Sequence, residues 1–249
     1  MNKLGMNTFR NYHEICGIIG GVGPAATNYL FGLIIKLHKA AKKDQNHIPL
    51  LIFNNPQIPD RTEHLINGGE NPLSELIQTA NILKKAGATF IAIPCITAHV
   101  YIKEIEKEAG IKTINLIKLT LDHIRTAFGK TAIVGLLATD GTIKSNIFKD
   151  EMNGLNIVIP DKHGQKNVME AVYGKYGLKA SCLNNRNFKL LYHEAKKLIK
   201  NKANVIVAGC TEIPLVLKQS KCNFPIIDPM ELMAKEILER TLNNSSFKA

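Results

Sequence analysis

Two cysteines stand where their thiols could carry out acid–base chemistry. Cys95 and Cys210 each directly follow a short apolar segment of the kind that forms a buried strand. Ligands of open parallel sheets bind at these carboxyl ends of strands. A helix beginning after the cysteine would present its positive dipole end to the thiol and lower its pKa from about 8.5 toward neutrality. One thiolate and one thiol would then supply a base and an acid.

The remaining cysteines are expected to lie outside such a site. Cys16 falls within the first apolar segment and is predicted to be a core residue. Cys182 and Cys222 lack the change from strand to helix that surrounds the other pair. An odd count without tight spacing also argues against a disulfide framework or a paired metal site.

Short β-branched segments alternate along the chain with segments of helical period. This pattern predicts an α/β protein with parallel sheets. Helices are predicted at residues 25–40 and 74–86. The predicted strands are centred on residues 15–19, 50–53, 90–93, 132–134 and 205–207.

An internal repeat indicates two pseudo-symmetric duplicated domains. Segment 87–97 resembles segment 202–211, which sets the two cysteines 115 positions apart. The same offset pairs Gly20 with Gly135 and Thr27 with Thr142. We expect domains at 1–118 and 119–224, each a short, mainly parallel sheet flanked by helices with the site between them. The tail, 225–249, is expected to pack back on the first domain as a strand and a helix.

Facing duplicated domains could hold one thiol on each side of a ligand. Removing the α-proton of an amino acid and returning one to the opposite face requires two such groups, each poised near the working pH. A single cysteine at a strand end is usually an inert small hydrophobe. Two at matched repeat positions, each followed closely by threonine, favour the chemical interpretation.

The cysteine segments resemble the two cysteine motifs of the aspartate/glutamate racemase family, in its aspartate racemase branch. They read Pro-Cys-Ile-Thr-Ala-His at 94–99 and Gly-Cys-Thr-Glu-Ile-Pro at 209–214. Segments 20–27, 55–62 and 171–180 extend the resemblance over nearly the whole chain. It implies an isomerase that needs neither pyridoxal phosphate nor a metal, with Cys95 and Cys210 as the catalytic pair. It also implies a small amino-acid substrate and a homodimer.

Further substrate-binding residues follow from the resemblance. Arg61 lies in the family's arginine-bearing loop, where a guanidinium could form a fork on a carboxylate or could instead brace the loop. Lys179, or alternatively Lys175, corresponds to a lysine supplied by the second domain. Gly23 would let the backbone approach the substrate, or would simply form a tight turn.

The threonines of the two motifs complete the expected site. Thr97 and Thr211 would stabilise a carboxylate that gains enediolate character, or could cap helices. Ala98 is included among the expected substrate contacts as part of the first motif. His99, Glu212 and Asp228 could orient the thiols, but the sequence gives them no assigned role.

Ile96 is the main departure from the family pattern, which usually has asparagine at this position. An isoleucine removes amide hydrogen bonds worth about 1–3 kcal/mol where buried partners remain. Ser181 replaces a second family residue, a glycine. The alternatives are therefore a different superfamily reaction, since fold alone does not separate them, or a protein that binds a small carboxylate without turnover.

Composition limits the other classes of function. The 249 residues carry a formal charge of +11, which favours anionic ligands, but the basic residues are dispersed and no nucleic-acid recognition motif is present. No apolar segment approaches the length of about 18 residues that a membrane-spanning helix needs, and the start lacks a secretory signal. We expect a cytoplasmic protein without nucleic-acid or membrane partners.

Overall fold

The computed structural model describes residues 12–243 and contains two parallel four-stranded sheets. The ends of the predicted first domain and of the predicted tail, 1–11 and 244–249, lie outside the described residues. The first sheet has the order β2-β1-β3-β4 and the second the order β6-β5-β7-β8. The strands are β1 (Cys16–Gly20), β2 (Leu50–Asn54), β3 (Phe90–Ala92), β4 (Lys112–Thr113), β5 (Ile133–Ala138), β6 (Asn156–Val158), β7 (Val205–Gly209) and β8 (Ile226–Ile227). The predicted α/β class is confirmed.

Helices cover the faces of both sheets, because strands joined in parallel require crossover connections. The predicted helices at 25–40 and 74–86 correspond to α1 and α3, and Pro24 occupies the first position of α1, where its missing N–H costs nothing. The helices are α1 (Pro24–Leu37), α2 (Arg61–Asn67), α3 (Leu73–Lys85), α4 (Ile102–Ala109), α5 (Leu116–Phe128), α6 (Asp140–Lys144), α7 (Lys162–Tyr173), α8 (Asn185–Lys200) and α9 (Pro229–Asn243).

The two sheets repeat the same strand order, but the pairing of Gly20 with Gly135 is wrong. Gly17 lies opposite Ile91 in the first sheet, and Gly135 lies opposite Ile206 in the second. Gly17 and Gly135 are therefore the equivalent residues of the two repeats. The predicted alignment of the central strands was wrong by three residues. The physical reason is loop length, because residues 21–23 separate β1 from α1 whereas a single residue, 139, separates β5 from α6.

The pairing of Thr27 with Thr142 is also wrong, by one position, although both threonines lie in the first turn of the helix that follows the central strand. Thr27 is the fourth residue of α1, whereas Thr142 is the third residue of α6. Thr27 donates its hydroxyl to the carbonyl of Gly23 at 3.1 Å, which closes the first turn of α1. Thr142 instead lies beside Thr97, with 2.8 Å between their Oγ1 atoms.

Gly17 and Gly135 allow a helix to lie close against each central strand. A Cβ atom on Gly17 would be 2.8 Å from the Cβ of Ala88, and one on Gly135 would be 2.6 Å from the Cδ1 of Ile206. On the helix side, the Cβ atom of Leu83 would lie 3.1 Å from the Cβ added at Gly17, and that of Leu198 would lie 3.1 Å from the Cβ added at Gly135. The close approach of helix to strand is therefore a duplicated feature.

One apolar cluster extends from the first sheet into the second. It includes Ile18 of β1, Val134 of β5, Val207 of β7 and Met233 of α9, all at most 1% exposed. The chain after β8 forms α9, which packs against α1 and α5. The predicted boundary between residues 118 and 119 falls within α5, and the division into domains stays a prediction. No helix between residues 12 and 243 is long and apolar enough to span a membrane.

Asp228 links the start of α9 to α1. One carboxylate oxygen accepts a hydrogen bond from the hydroxyl of Tyr29 at 2.8 Å, and the other accepts one from the N–H of Met230 at 2.9 Å. Burial outweighs these hydrogen bonds and raises the pKa of Asp228 from 3.8 to about 6. Sequence reasoning gave Asp228 no role, and its position is structural.

We expect Gly17→Ala and Gly135→Ala each to lower the free energy of unfolding by about 1–3 kcal/mol, because the added methyl group overpacks the interface between helix and strand. Gly32→Ala is the matched control, since a Cβ at that helical position meets no atom within 4 Å. It should stabilise the protein by about 0.5–1 kcal/mol. Urea unfolding measures the free energy of unfolding of all three variants. If Gly17→Ala and Gly135→Ala change it by the same amount as Gly32→Ala, the packing argument is contradicted.

We expect Asp228→Asn to change how stability depends on pH. A carboxyl whose folded-state pKa lies above 3.8 contributes stability that is fully present below that pH and is lost as the pH rises through about 6. The stability of the wild type relative to the variant should thus fall by up to about 3 kcal/mol over this range. Urea unfolding at a series of pH values measures the difference, and a difference independent of pH would refute the pKa assignment.

Candidate active site

The two cysteine motifs meet at one small cavity between the carboxyl ends of β3 and β7. Cys95 follows the first strand and Cys210 the second, and each residue is 7% exposed. The cavity is narrow, with free space of about 10 Å³, roughly the room of one water molecule. Six of the predicted site residues border it: Cys95, Cys210, Arg61, Thr97, Lys179 and Thr211.

Cys210 has a carboxylate as its immediate neighbour. Its thiol donates a hydrogen bond of 3.0 Å to the Oε2 atom of Glu212. Burial, and then the negative charge of Glu212, raise the pKa of Cys210 well above its ordinary value. The predicted lowering by a following helix is therefore wrong for Cys210, because only a three-residue 3₁₀ helix, Ile213–Leu215, comes next.

Glu212 keeps its charge because Lys179 neutralises it. The Nζ atom of Lys179 lies 3.1 Å from Oε1 of Glu212, whose side chain is 2% exposed. Burial alone would raise the pKa of Glu212, but the lysine and the hydrogen bonds from Cys210 and Thr211 outweigh it and hold the pKa below its usual range. Glu212 in turn outweighs the effect of burial on Lys179 and raises the pKa of that lysine. The two form an ion pair in which the carboxylate is buried and the lysine is partly exposed.

Gly23 lies directly against Glu212, so a side chain would not fit at this position. Its φ angle is 129°, and an added Cβ would collide with Oε1 of Glu212. The backbone of Gly23 thus approaches a side chain of the second motif, and its approach to a substrate stays a prediction.

Arg61 braces the loop that precedes it. It is the first residue of α2 and is 5% exposed. Its Nη1 atom donates to the carbonyls of Ile58 and Pro59 at 3.2 and 2.9 Å, and Nη2 donates to the carbonyl of Val22 at 2.9 Å. Its Nε atom is buried without a hydrogen-bond partner. The structure thus shows Arg61 in the loop-bracing role and leaves its Nε donor without a hydrogen bond.

Arg61 also interacts with Cys95. Burial acts to lower the pKa of Arg61, but the charges of Cys95 and Asp60 outweigh it and raise that pKa. A thiolate on Cys95 would therefore have a cation as its neighbour, whereas Cys210 has an anion. Lys179 also acts on Cys210 and lowers its pKa, but the effect of Glu212 is larger.

Four threonine hydroxyls form a buried group between the two motifs. Thr97 lies 2.8 Å from Thr142 and 3.5 Å from Thr139, measured between Oγ1 atoms. Thr62 donates to Thr139 at 3.2 Å. Thr97 makes no capping hydrogen bond to the 3₁₀ helix Thr97–Tyr101, so its predicted alternative role as a helix cap is wrong. These hydroxyls join the first sheet's loops to those of the second.

Thr211 and His99 fix the backbone of the first motif. The hydroxyl of Thr211 lies 3.1 Å from the carbonyl of Pro94 and 3.2 Å from Oε2 of Glu212. The Nδ1 atom of His99 lies 2.8 Å from the carbonyl of Cys95. Burial lowers the pKa of His99, which favours the neutral ring. Both contacts are structural links between chain segments.

Several sequence candidates lie outside the cavity. Ala98 is fully buried in an apolar cluster, and Lys175 is exposed with its ammonium 5.5 Å from the ring of Tyr176. Lys179 is therefore favoured over Lys175. Cys16 is a fully buried core residue, as predicted, and Cys182 and Cys222 are partly exposed.

Ile96 forms an apolar part of the cavity wall and is 1% exposed. Its side chain also belongs to the large apolar cluster that joins the sheets. The family asparagine would place an amide here. This position therefore offers a ligand no hydrogen bond from a side chain.

Sequence reasoning missed Thr62, Thr139 and Tyr173, which also border the cavity, and gave Glu212 no role. The hydroxyl of Tyr173 bonds to both carboxylate oxygens of Asp60 at 3.1 and 3.0 Å, which joins α7 to the start of α2. The position of Glu212, two residues after a predicted catalytic cysteine, was the available signal. The threonines gave none, because their contacts are separated by 42 or more positions.

A larger pocket of about 440 Å³ adjoins the small cavity, and Arg61, Lys179 and Glu212 border both. Gly23, Asp60 and Ser181 form other parts of its wall. The pocket thus combines two cations with two carboxylates. Among residues 12–243, no group of three or more His, Cys, Asp or Glu side chains is arranged to hold a metal ion.

Comparisons with known proteins agree with this architecture. The family model described as Asp/Glu/Hydantoin racemase matches residues 19–237. The broad specificity amino-acid racemase RacX of Bacillus subtilis (strain 168) is 28% identical over 232 residues, covering 91% of this chain and 97% of that protein. The structure of Picrophilus torridus aspartate racemase aligns with a TM-score of 0.81 at 27% identity, covering 94% of this chain and 96% of that one. An aspartate racemase homologue from Pyrococcus horikoshii OT3 shares the fold, with a TM-score of 0.71 at 22% identity, covering 91% of this chain and 98% of that one.

We expect Arg61→Lys to lower the free energy of unfolding by about 1–3 kcal/mol, because an ammonium cannot reproduce the geometry of three carbonyl contacts and would leave buried acceptors unpaired. Arg186→Lys is the matched control, since that arginine forms an exposed ion pair with Glu170. Its effect should stay within about 1 kcal/mol. Urea unfolding measures both, and equal losses would show that the bracing contacts contribute little.

Proposed function

The chain belongs to the Asp/Glu/hydantoin racemase family, and on that premise we propose that it is a cofactor-independent amino-acid racemase that uses Cys95 and Cys210 as its two acid–base groups. The observation that carries the proposal is the meeting of these two thiols, from equivalent strands of duplicated sheets, at one buried cavity. Two proton-transfer groups supplied by facing halves of the protein are what inversion at a carbon atom requires.

The proposed reaction has two proton transfers. A Cys95 thiolate removes the α-proton, and the electron pair of that C–H bond remains on the substrate as a carbanion. The Cys210 thiol donates its proton to the opposite face, which forms the new C–H bond and leaves a thiolate. The reverse reaction exchanges the two roles.

Hydroxyl donors would stabilise the carbanion by bonding to the substrate carboxylate as it gains negative charge. Thr97 and Thr211 are the predicted donors, and Thr62 and Thr139 lie in the same cavity wall. Such donors are effective because the site is closed to bulk water and their positions are already fixed. Arg61, through its unused Nε atom, would hold a carboxylate.

Aspartate, or a related acidic amino acid, is the proposed substrate. Arg61 and Lys179 supply two cations at the junction of the small cavity with the outer pocket. A dicarboxylic amino acid would place one carboxylate among the threonines and extend the other toward these cations. The role of Gly23 in this proposal is to leave space for the Glu212 carboxylate beside them.

A broader substrate range is the second candidate, and a specific observation favours it. The charge of Lys179 is already neutralised by Glu212 at 3.1 Å, so the outer pocket presents less free positive charge than its lysine and arginine imply. The pocket is also larger than the side chain of aspartate requires, and Asp60 lines it. Neutral or longer side chains would fit this arrangement.

Proton exchange at Cα tests the proposal. Each amino acid of a panel of both enantiomers is incubated in D₂O with the wild type, Cys95→Ala or Cys210→Ala, and ¹H NMR follows the α-proton while chiral chromatography follows inversion. We expect either substitution to reduce inversion by about 10²–10⁴-fold, because one proton-transfer group is lost. Cys182→Ala and Cys222→Ala are the matched controls and should retain the wild-type rate.

The pattern of active substrates separates the candidates. Exchange confined to aspartate and glutamate supports the acidic-substrate proposal, whereas exchange of neutral or basic amino acids supports the broader range. Binding of a carboxylate without any exchange would refute the racemase and favour a binding protein. The homodimer implied by the resemblance and the cytoplasmic location expected from the sequence stay part of the proposal, and light scattering tests the first.

A further inference from the structure

We propose that Glu212 is a positioning residue that keeps the proton on Cys210, so that the resting enzyme carries its thiolate on Cys95. This inference rests on the proposed function and adds a direction to it. The resting enzyme would be ready to act on the enantiomer whose α-proton faces Cys95.

The geometry around Cys210 supports its protonated form. Oε2 of Glu212 accepts the thiol proton at 3.0 Å, and the residue itself is 1% exposed. Ionising the thiol would remove this hydrogen bond and place two negative charges side by side away from water. Like charges at such a distance strongly disfavour ionisation of the second group.

The carboxylate is itself fixed as an anion. Lys179 contacts Oε1 at 3.1 Å, and the hydroxyl of Thr211 lies 3.2 Å from Oε2. Gly23 leaves no space for Oε1 to move toward its backbone, because even a Cβ atom would collide there. Glu212 is therefore held in place from three sides as a permanent acceptor.

Other charged or titratable groups near this cluster belong to both halves of the protein. Tyr173 of α7 lies beside Lys179, with the lysine ammonium 5.3 Å from the centre of its ring. Asp60, at the start of α2, interacts electrostatically with Lys179. Arg61 interacts electrostatically with Cys95. Lys179 acts on Cys210 and lowers its pKa, but Glu212 raises that pKa by more. Among these groups Glu212 is the one that bonds directly to the Cys210 thiol, so it decides which form of that thiol is favoured.

One turnover would invert this proton distribution. After Cys95 has taken the α-proton and Cys210 has given its own, the thiolate lies next to Glu212. Cys210 would then regain a proton from water and Cys95 would release one, which restores the resting form. Glu212 favours this return without touching the substrate.

The pH profile of thiol alkylation tests the proposal in the folded, full-length protein. Iodoacetamide labels thiolates, and peptide mass spectrometry reads Cys95 and Cys210 separately, with each rate normalised to its limit at high pH. In the wild type we expect Cys95 to be labelled at lower pH than Cys210. Glu212→Gln should increase the rate for Cys210 at a fixed pH below that limit by at least about tenfold, a shift of one pH unit.

Glu194→Gln is the matched control. Glu194 is another glutamate at 1% exposure, paired with Lys197 at 3.2 Å. Its substitution should leave both profiles unchanged. An unchanged or slower rate for Cys210 in Glu212→Gln would overturn the proposal, because Glu212 would then not oppose the thiolate. Labelling of Cys210 before Cys95 in the wild type would also overturn it, and this measurement needs no variant to fold.

Labelling does not depend on turnover, so the two proposals can fail separately. If no amino acid undergoes exchange while Glu212→Gln still accelerates labelling of Cys210, the racemase is refuted and the role of Glu212 stands. If exchange depends on both thiols while the labelling of Cys210 does not respond, the racemase stands and the role of Glu212 is refuted.

Discussion

The buried charge of Glu212 is the constraint on which the arrangement of the site depends. A carboxylate removed from water is unfavourable unless a cation and hydrogen-bond donors surround it. Lys179, Thr211 and Cys210 provide them, and each comes from the second half of the chain. The first half contributes Gly23, whose missing side chain makes room for the carboxylate. The charge thereby determines the conformation of segments from both repeats.

Hydrogen bonds between the halves surround this charge. The threonine hydroxyls, the contact of Thr211 with the carbonyl of Pro94, and the pair formed by Tyr173 and Asp60 all cross from one half to the other. A network of buried polar groups stabilises the fold most when every group has a hydrogen-bond partner, because an unpaired polar group away from water raises the free energy of the folded state. The cavity is therefore enclosed by polar groups that orient one another, with Ile96 as an apolar part of its wall.

Duplication gives the two thiols equivalent places but different surroundings. Both cysteines follow the strand that pairs beside the central strand of their sheet. The neighbouring side chains then differ, because Arg61 begins helix α2 of the first half and Glu212 belongs to the second cysteine motif itself. A symmetric fold thus supports an asymmetric distribution of charge. The difference is chemically useful, since proton transfer through two groups requires one of them to begin as the base.

The sequence by itself determined the α/β class, the five main strand positions, the duplication and the importance of two cysteines at strand ends, because hydrophobic periodicity and local repeats are properties of neighbouring residues. It misaligned Gly20 with Gly135, since loops of unequal length shift an offset that only sheet register reveals. It also included Ala98 in the site and overlooked Thr62, Thr139 and Tyr173. Only the tertiary structure decided that Arg61 braces a loop, that Lys179 pairs with Glu212, and that Cys210 faces an anion. These contacts join residues distant in sequence, and their effects on charge depend on burial and distance, which become defined only when the two halves pack together.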